Sequence, residues 1–77
     1  MKKVEVTWVD ANIMHDWALK QEVEQDGLPT VKSMGYLFME DDDKIVIVMG
    51  WSNYGAYIER KAIPKGCIKS IKELRIK

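Results

Sequence analysis

Seventy-seven residues carrying twelve basic and twelve acidic side chains make one small domain of zero net charge, too short for two cores and without the positive excess that a duplex-DNA binder draws on. Cys67 and His15 are the only cysteine and the only histidine, which excludes an intrachain disulfide and a four-ligand Cys/His zinc centre. The longest apolar run, Ile45 to Trp51, falls far short of the roughly 20 residues of a membrane-spanning helix.

In chain order, Lys2 to Asp10 alternates, with Val4, Val6 and Trp8 on one side and Lys3, Glu5 and Thr7 on the other, the pattern of a half-buried strand. Ala11 to Thr30 is polar and irregular, contains Trp17, Leu19 and Val23, and ends at Asp26-Gly27-Leu28-Pro29. A short helix over about 16–24, capped by Asp16, is compatible with this stretch. An excursion this long without strong periodicity tends to be functional. Val31 to Glu40 is predicted as the second strand, with Gly35 marking a bulge or bend in its middle, and Asp41-Asp42-Asp43 as the turn that follows. Ile45 to Trp51 is predicted as the third strand. It is apolar on both faces, Ile45, Ile47, Met49 and Trp51 against Val46 and Val48, so the face outside the core needs a cover, either the 11–30 segment or another subunit. Ser52-Asn53-Tyr54-Gly55 reads as a turn and Ala56 to Ile63 as the fourth strand. Pro64 breaks that strand and suits a 3₁₀ turn near 64–67. Ile68 to Ile76 closes the chain as a fifth strand, although Ile68, Ile71 and Leu74 are also spaced for a helix.

This layout of strand, long loop, three-strand meander, 3₁₀ turn and closing strand resembles the SH3-like barrel. The expectation is a mainly β, five-stranded SH3-like small barrel over residues 1–77, its edges hidden by closure. The peptide-binding signatures of the SH3 family are missing. No acidic-aromatic strand motif opens the long loop, and Ser52-Asn53-Tyr54 precedes the fourth strand instead of lying in the 3₁₀ turn. The chain also resembles small uncharacterised proteins of tailed bacteriophages and prophages. The matching features are Trp8-x-Asp10, Gly35-Tyr36-Leu37, the acidic hairpin tip and Ile63-Pro64 followed by Ile68, Ile71 and Leu74. That resemblance implies a host cytoplasm and a role as virion accessory, inhibitor of a host protein or sponge for a signalling nucleotide. The single cysteine and the lack of an apolar stretch after Met1-Lys2-Lys3 agree with a reducing, cytoplasmic setting.

Few residues suggest chemistry. His15 could be oriented by Asp10 or Asp16 as a general base, but a lone loop histidine is more often a surface residue. Cys67, between Lys65 and Lys69, reads as a small buried hydrophobe before it reads as a thiolate. Glu40 to Asp43 lacks the spacing of a calcium loop and reads as a solvated tip. No catalytic residue, metal ligand or cofactor is assigned. The best binding candidate is Trp51-Ser52-Asn53-Tyr54 with Tyr57, Arg60, Lys61 and Lys65: aromatic faces to stack on a base, amide and hydroxyl groups to read its edge, and cations to meet a phosphate. Trp8, Trp17, Val46 and Val48 are candidate interface residues. Charge is segregated. Residues 10–26 hold Asp10, Asp16, Glu22, Glu24 and Asp26 against Lys20, whereas 59–77 hold seven bases against Glu59 and Glu73, which suits head-to-tail pairing of subunits in a homo-oligomer. The expected function is therefore a non-enzymatic binding module that sequesters a small anionic ligand such as a signalling nucleotide. The alternative is a protein-interaction or virion-structural module acting through the acidic 11–30 loop and Trp17.

Overall fold

Apolar alternation in β1 (Lys3–Val9) is realised as read: Val4 and Val6 are buried, and Lys3, Glu5 and Thr7 are half-exposed. A computed structural model describes residues 1–75 of the protein. After β1 come α1 (Lys20–Gln25), β2 (Thr30–Glu40), β3 (Lys44–Val48), β4 (Gly50–Trp51), β5 (Tyr57–Ile58), β6 (Lys61–Pro64), a 3₁₀ turn (Lys65–Cys67) and β7 (Ile68–Leu74). The 3₁₀ turn stands where Pro64 placed it, and the closing segment is a strand. Ile76, included in the expected fifth strand, lies outside the described residues.

Five strands form one antiparallel sheet in the order β6-β3-β2-β1-β7, while β4 and β5 pair separately. The expected SH3-like barrel is not formed. The meander order matches that layout, but β6 and β7 are the two edges of an open sheet and do not pair. Closure needs strands long enough to tilt and stagger past one another. Here the extension that could have crossed over leaves the sheet. The expected third strand breaks at Met49, so Gly50–Trp51 belongs to the β4–β5 ribbon. The expected fourth strand breaks at Glu59, whose φ of 52° is left-handed, leaving β6 only four residues long. Pro64 and the charged side chains of Lys61, Lys69, Lys72 and Glu73 line the two edge strands and discourage further pairing there.

The core is small. Val4 and Val6 of β1, Ile45 and Ile47 of β3 and Ile63 of β6 cluster with Trp8, Leu37 and Ile68 packed against them. Gly35 is not the bulge that was expected. It pairs regularly with Val4, and its role is close approach: a Cβ there would meet the Val48 carbonyl oxygen at 3.0 Å and the Ile47 Cβ at 3.2 Å. The register shift falls instead between Leu37 and Met39.

The acidic turn is held by Asp41. Its Oδ1 accepts the backbone N–H of Asp43 at 2.8 Å and of Lys44 at 2.9 Å, and its Oδ2 accepts Lys44 Nζ at 3.1 Å. These donors, the Asp43 N–H first, hold its carboxyl below the usual aspartate range. The tip is thus a side-chain-closed turn.

Two outcomes follow from this packing. Gly35→Ala should destabilise the fold by about 1–3 kcal/mol, as overpacking against backbone does, measured by urea unfolding; a neutral result would mean that β2 and β3 can part at no cost. Because the folded carboxyl of Asp41 is lowered, its contribution is complete above the ordinary aspartate value and lost as pH falls through the folded one. The melting temperature should therefore drop on acidification below about pH 4, and Asp41→Asn should flatten that part of the profile.

Candidate functional site

Two features outside the core stand out, an arm and a groove. The arm is the segment between β1 and β2. Its base continues the β1–β2 ladder, with the Asp10 N–H donating to the Pro29 carbonyl at 3.0 Å and Asn12 Nδ2 to the Gly27 carbonyl at 2.8 Å. Beyond this clasp the chain touches little. Every residue from Asp10 to Thr30 is exposed, among them Ile13, Met14, Trp17, Leu19, Val23 and Leu28, and Trp17 is fully exposed. The helix begins later than expected, at Lys20 instead of near Asp16, and its N-cap residue Leu19 supplies no side-chain cap. Asp16 is therefore not the cap. One exposed pair, Lys20 with Glu24 at 3.4 Å, stands in the weaker order for an i,i+4 contact. A six-residue helix with no buried residue is marginal on its own in water. The arm stretches the molecule to 52 × 28 × 24 Å with a radius of gyration of 16.0 Å, against about 11.5 Å for a compact chain of this length.

The groove lies on the sheet face opposite the core. The 11–30 segment does not cover this face. The β4–β5 ribbon covers part of it, held by two edge-to-face aromatic pairs, Tyr36 with Trp51 at 5.1 Å and Phe38 with Tyr57 at 4.6 Å. Val48, directly opposite Tyr36 in the ladder, is consequently buried beneath the ribbon. Beside the ribbon a groove of about 210 Å³ remains, lined by Phe38, Met39, Val46, Val48, Tyr57 and Arg60. Phe38 and Met39 escaped the sequence reading because strict alternation sends consecutive side chains to opposite faces. The register shift after Leu37 pairs Met39 with Val46 and brings both residues to the groove.

The residues expected to bind a ligand are only partly brought together. Trp51 lies against Tyr36, whereas Tyr57 and Arg60 line the groove. Ser52 closes the ribbon turn by accepting the N–H groups of Tyr54 at 3.2 Å and Ala56 at 3.3 Å. Asn53 and Tyr54 form that turn, with Tyr54 almost fully exposed. Two of the three cations are engaged elsewhere. Lys65 pairs with Glu40. Lys61 donates to Ser33 Oγ at 3.3 Å and sits 5.7 Å from the centroid of the Trp8 ring. Trp8, read as an interface residue, is half-buried, packs against the core and donates from Nε1 to the same Ser33 hydroxyl at 3.0 Å. Arg60 forms no ion pair among the described residues.

His15 lies on the arm and Cys67 is half-buried in the 3₁₀ turn. Among the described residues no three His, Cys, Asp or Glu side chains gather as a metal site, and no helix is long and apolar enough to cross a membrane. Comparison with family models, with curated proteins and with solved structures finds no match, so the resemblance to phage-encoded proteins stays an expectation and the site is read from its geometry.

The Trp8–Ser33–Lys61 contact can be measured directly. Trp8→Phe removes the donor to a buried hydroxyl and should cost about 1–2 kcal/mol. In a double-mutant cycle with Ser33→Ala the two losses should fall short of additive; strict additivity would show that the hydrogen bond contributes nothing.

Proposed function

We propose that the protein is a small, non-enzymatic interaction module whose binding element is the arm of residues 11–29. One observation carries this reading. Six large apolar side chains, Trp17 among them, project from a segment that buries none of them. Exposed apolar surface on this scale is a docking surface, and tryptophan supplies a disproportionate share of interface energy. A helix that is marginal alone becomes stable when its apolar side chains are covered, so binding and ordering of the arm are coupled.

A second reading, an anionic aromatic ligand, is supported by Tyr57 and Arg60, which has no ion-pair partner among the described residues, on one groove. It asks less of Lys61 and Lys65, which are engaged within the fold.

Protease accessibility separates the two. When the arm is occupied, trypsin cleavage after Lys20 should slow at least about tenfold, in line with a 1.4 kcal/mol protection of the segment, and Trp17→Ala should abolish the protection. A complex in which Lys20 is cut at the free rate sinks the interaction reading. The ligand reading expects a thermal upshift with nucleotides, about 2.7 kcal/mol at 100 times Kd, that Arg60→Ala removes and Trp17→Ala leaves intact.

A further inference from the structure

We infer that the partner of the arm is a second copy of the chain, and that two copies exchange arms, each seating its arm in the Phe38–Tyr57 groove of the other. This rests on the reading of the arm as the binding element and names what it binds.

Four observations on the molecule carry it. The first is surface area. The chain exposes 6497 Å², whereas a folded monomer of 8.9 kDa exposes about 4,800 Å². The excess is about 1,700 Å² per chain, and a stable interface buries about 1,600 Å² in total. A reciprocal pair of arms therefore has more than enough area to form one.

The second is placement. The arm enters β2 at Thr30, and the groove is built at Phe38 and Met39, near the other end of the same strand. Eight residues of strand separate them, roughly 26 Å. The clasp at Asp10–Pro29 and Asn12–Gly27 directs the arm onward from the sheet's end, so it does not fold back on its own groove. A second copy running in the opposite direction brings its groove to the first copy's arm, and the two-fold axis brings the first copy's groove to the second arm. Such an arrangement closes after two subunits.

The third is charge. Within 11–29 the arm carries Asp16, Glu22, Glu24 and Asp26 against Lys20, while 59–75 carries Arg60, Lys61, Lys65, Lys69, Lys72 and Arg75 against Glu59 and Glu73. Arg60 lies on the groove and has no ion-pair partner among the described residues. Of these bases Arg60 is the one at the groove, since Lys61 and Lys65 are engaged within the fold and Lys69 and Lys72 lie on β7 at the far edge of the sheet, so exchange sets the acidic arm against Arg60. The fourth is the core, a cluster of five buried apolar side chains among the described residues. Domains this small commonly gain stability through oligomerisation.

Light-scattering mass across a dilution series tests this with the full-length chain. At about 100 µM, where a micromolar interface of this size is filled, the wild type should have twice the chain mass and dissociate on dilution. Trp17→Ala should weaken association at least about thirtyfold. Arg60→Glu, on an exposed side chain, should weaken it about tenfold and reduce its salt dependence. Circular dichroism and thermal melting confirm that each variant is folded. The decisive measurement mixes the two variants. A heterodimer of Trp17→Ala with Arg60→Glu keeps one intact arm in one intact groove and confines both losses to the other contact, where they overlap and fall short of additive, so the mixture should associate more tightly than the geometric mean of the two variants, after allowing for the statistical preference for mixed pairs. A monomeric wild type overturns the proposal, as does a dimer indifferent to Arg60→Glu, a mixture no tighter than the geometric mean of its components, or a mass that grows beyond two chains. A monomer whose Lys20 becomes protected by a different protein overturns the exchange and leaves the arm's binding role standing. A monomer whose arm no added protein protects overturns both.

Discussion

The contact among Trp8, Ser33 and Lys61 holds the sheet together where its ladder is interrupted. Strand β3 lies between β2 and β6 only as far as Val48; at Met49 the chain turns away. The first half of β2, including Ser33, is thereby left with β1 as its only neighbour. The buried Ser33 hydroxyl accepts from Trp8 on β1 and from Lys61 on β6, so one polar group links three strands across the place a fourth has vacated. The apolar cluster of Val4, Val6, Ile45, Ile47 and Ile63 ends at this contact. A fully satisfied polar group at the margin of a small core fixes which strands meet, where apolar contact alone would tolerate slippage.

The departure of β3 also organises the opposite face. The β4–β5 ribbon returns over Val48 and is held by two perpendicular aromatic pairs. The extra residue in β2 at Phe38 places two consecutive apolar side chains on that same face. A single irregularity in each of two adjacent strands thus makes a covered patch and an uncovered groove from a surface that regular pairing would have left uniform. The arm lies at the far end of β2 and shares no surface with this patch, so the molecule presents two unlike apolar regions at its two ends.

Much of this was legible in the residues, and the misses share a cause. Alternation placed β1, and the position of Pro64 placed the 3₁₀ turn. The acidic tip was seen as a turn, though not that the Asp41 side chain closes it. The long first segment was recognised as anomalous. Local pattern failed where tertiary pairing decides. Nothing in Ile45 to Trp51 marks Met49 as the point of departure, because the residues on both sides are apolar and β-prone. Gly35 attracted the bulge because glycine tolerates one, yet its missing side chain is used for close packing while the bulge sits three residues on, at Phe38. Closure into a barrel was inferred from element order, which the open sheet retains; closure depends on strand length and stagger, which order does not encode. The aromatic-basic cluster around Trp51 was adjacent in sequence, but Lys61 and Lys65 found partners on β2 that no local spacing reveals.

The clasp at the root of the arm separates two kinds of selection. Asp10, Asn12, Gly27 and Pro29 complete the ladder there, and no side chain between them contributes to the core. Substitutions over residues 13–26 therefore carry little penalty for folding, and loop closure tolerates changes in length with only a slow rise in entropy cost. The sheet is in this sense a fixed frame and the arm a rewritable segment. Such a chain can vary that segment by drift without passing through unfolded intermediates.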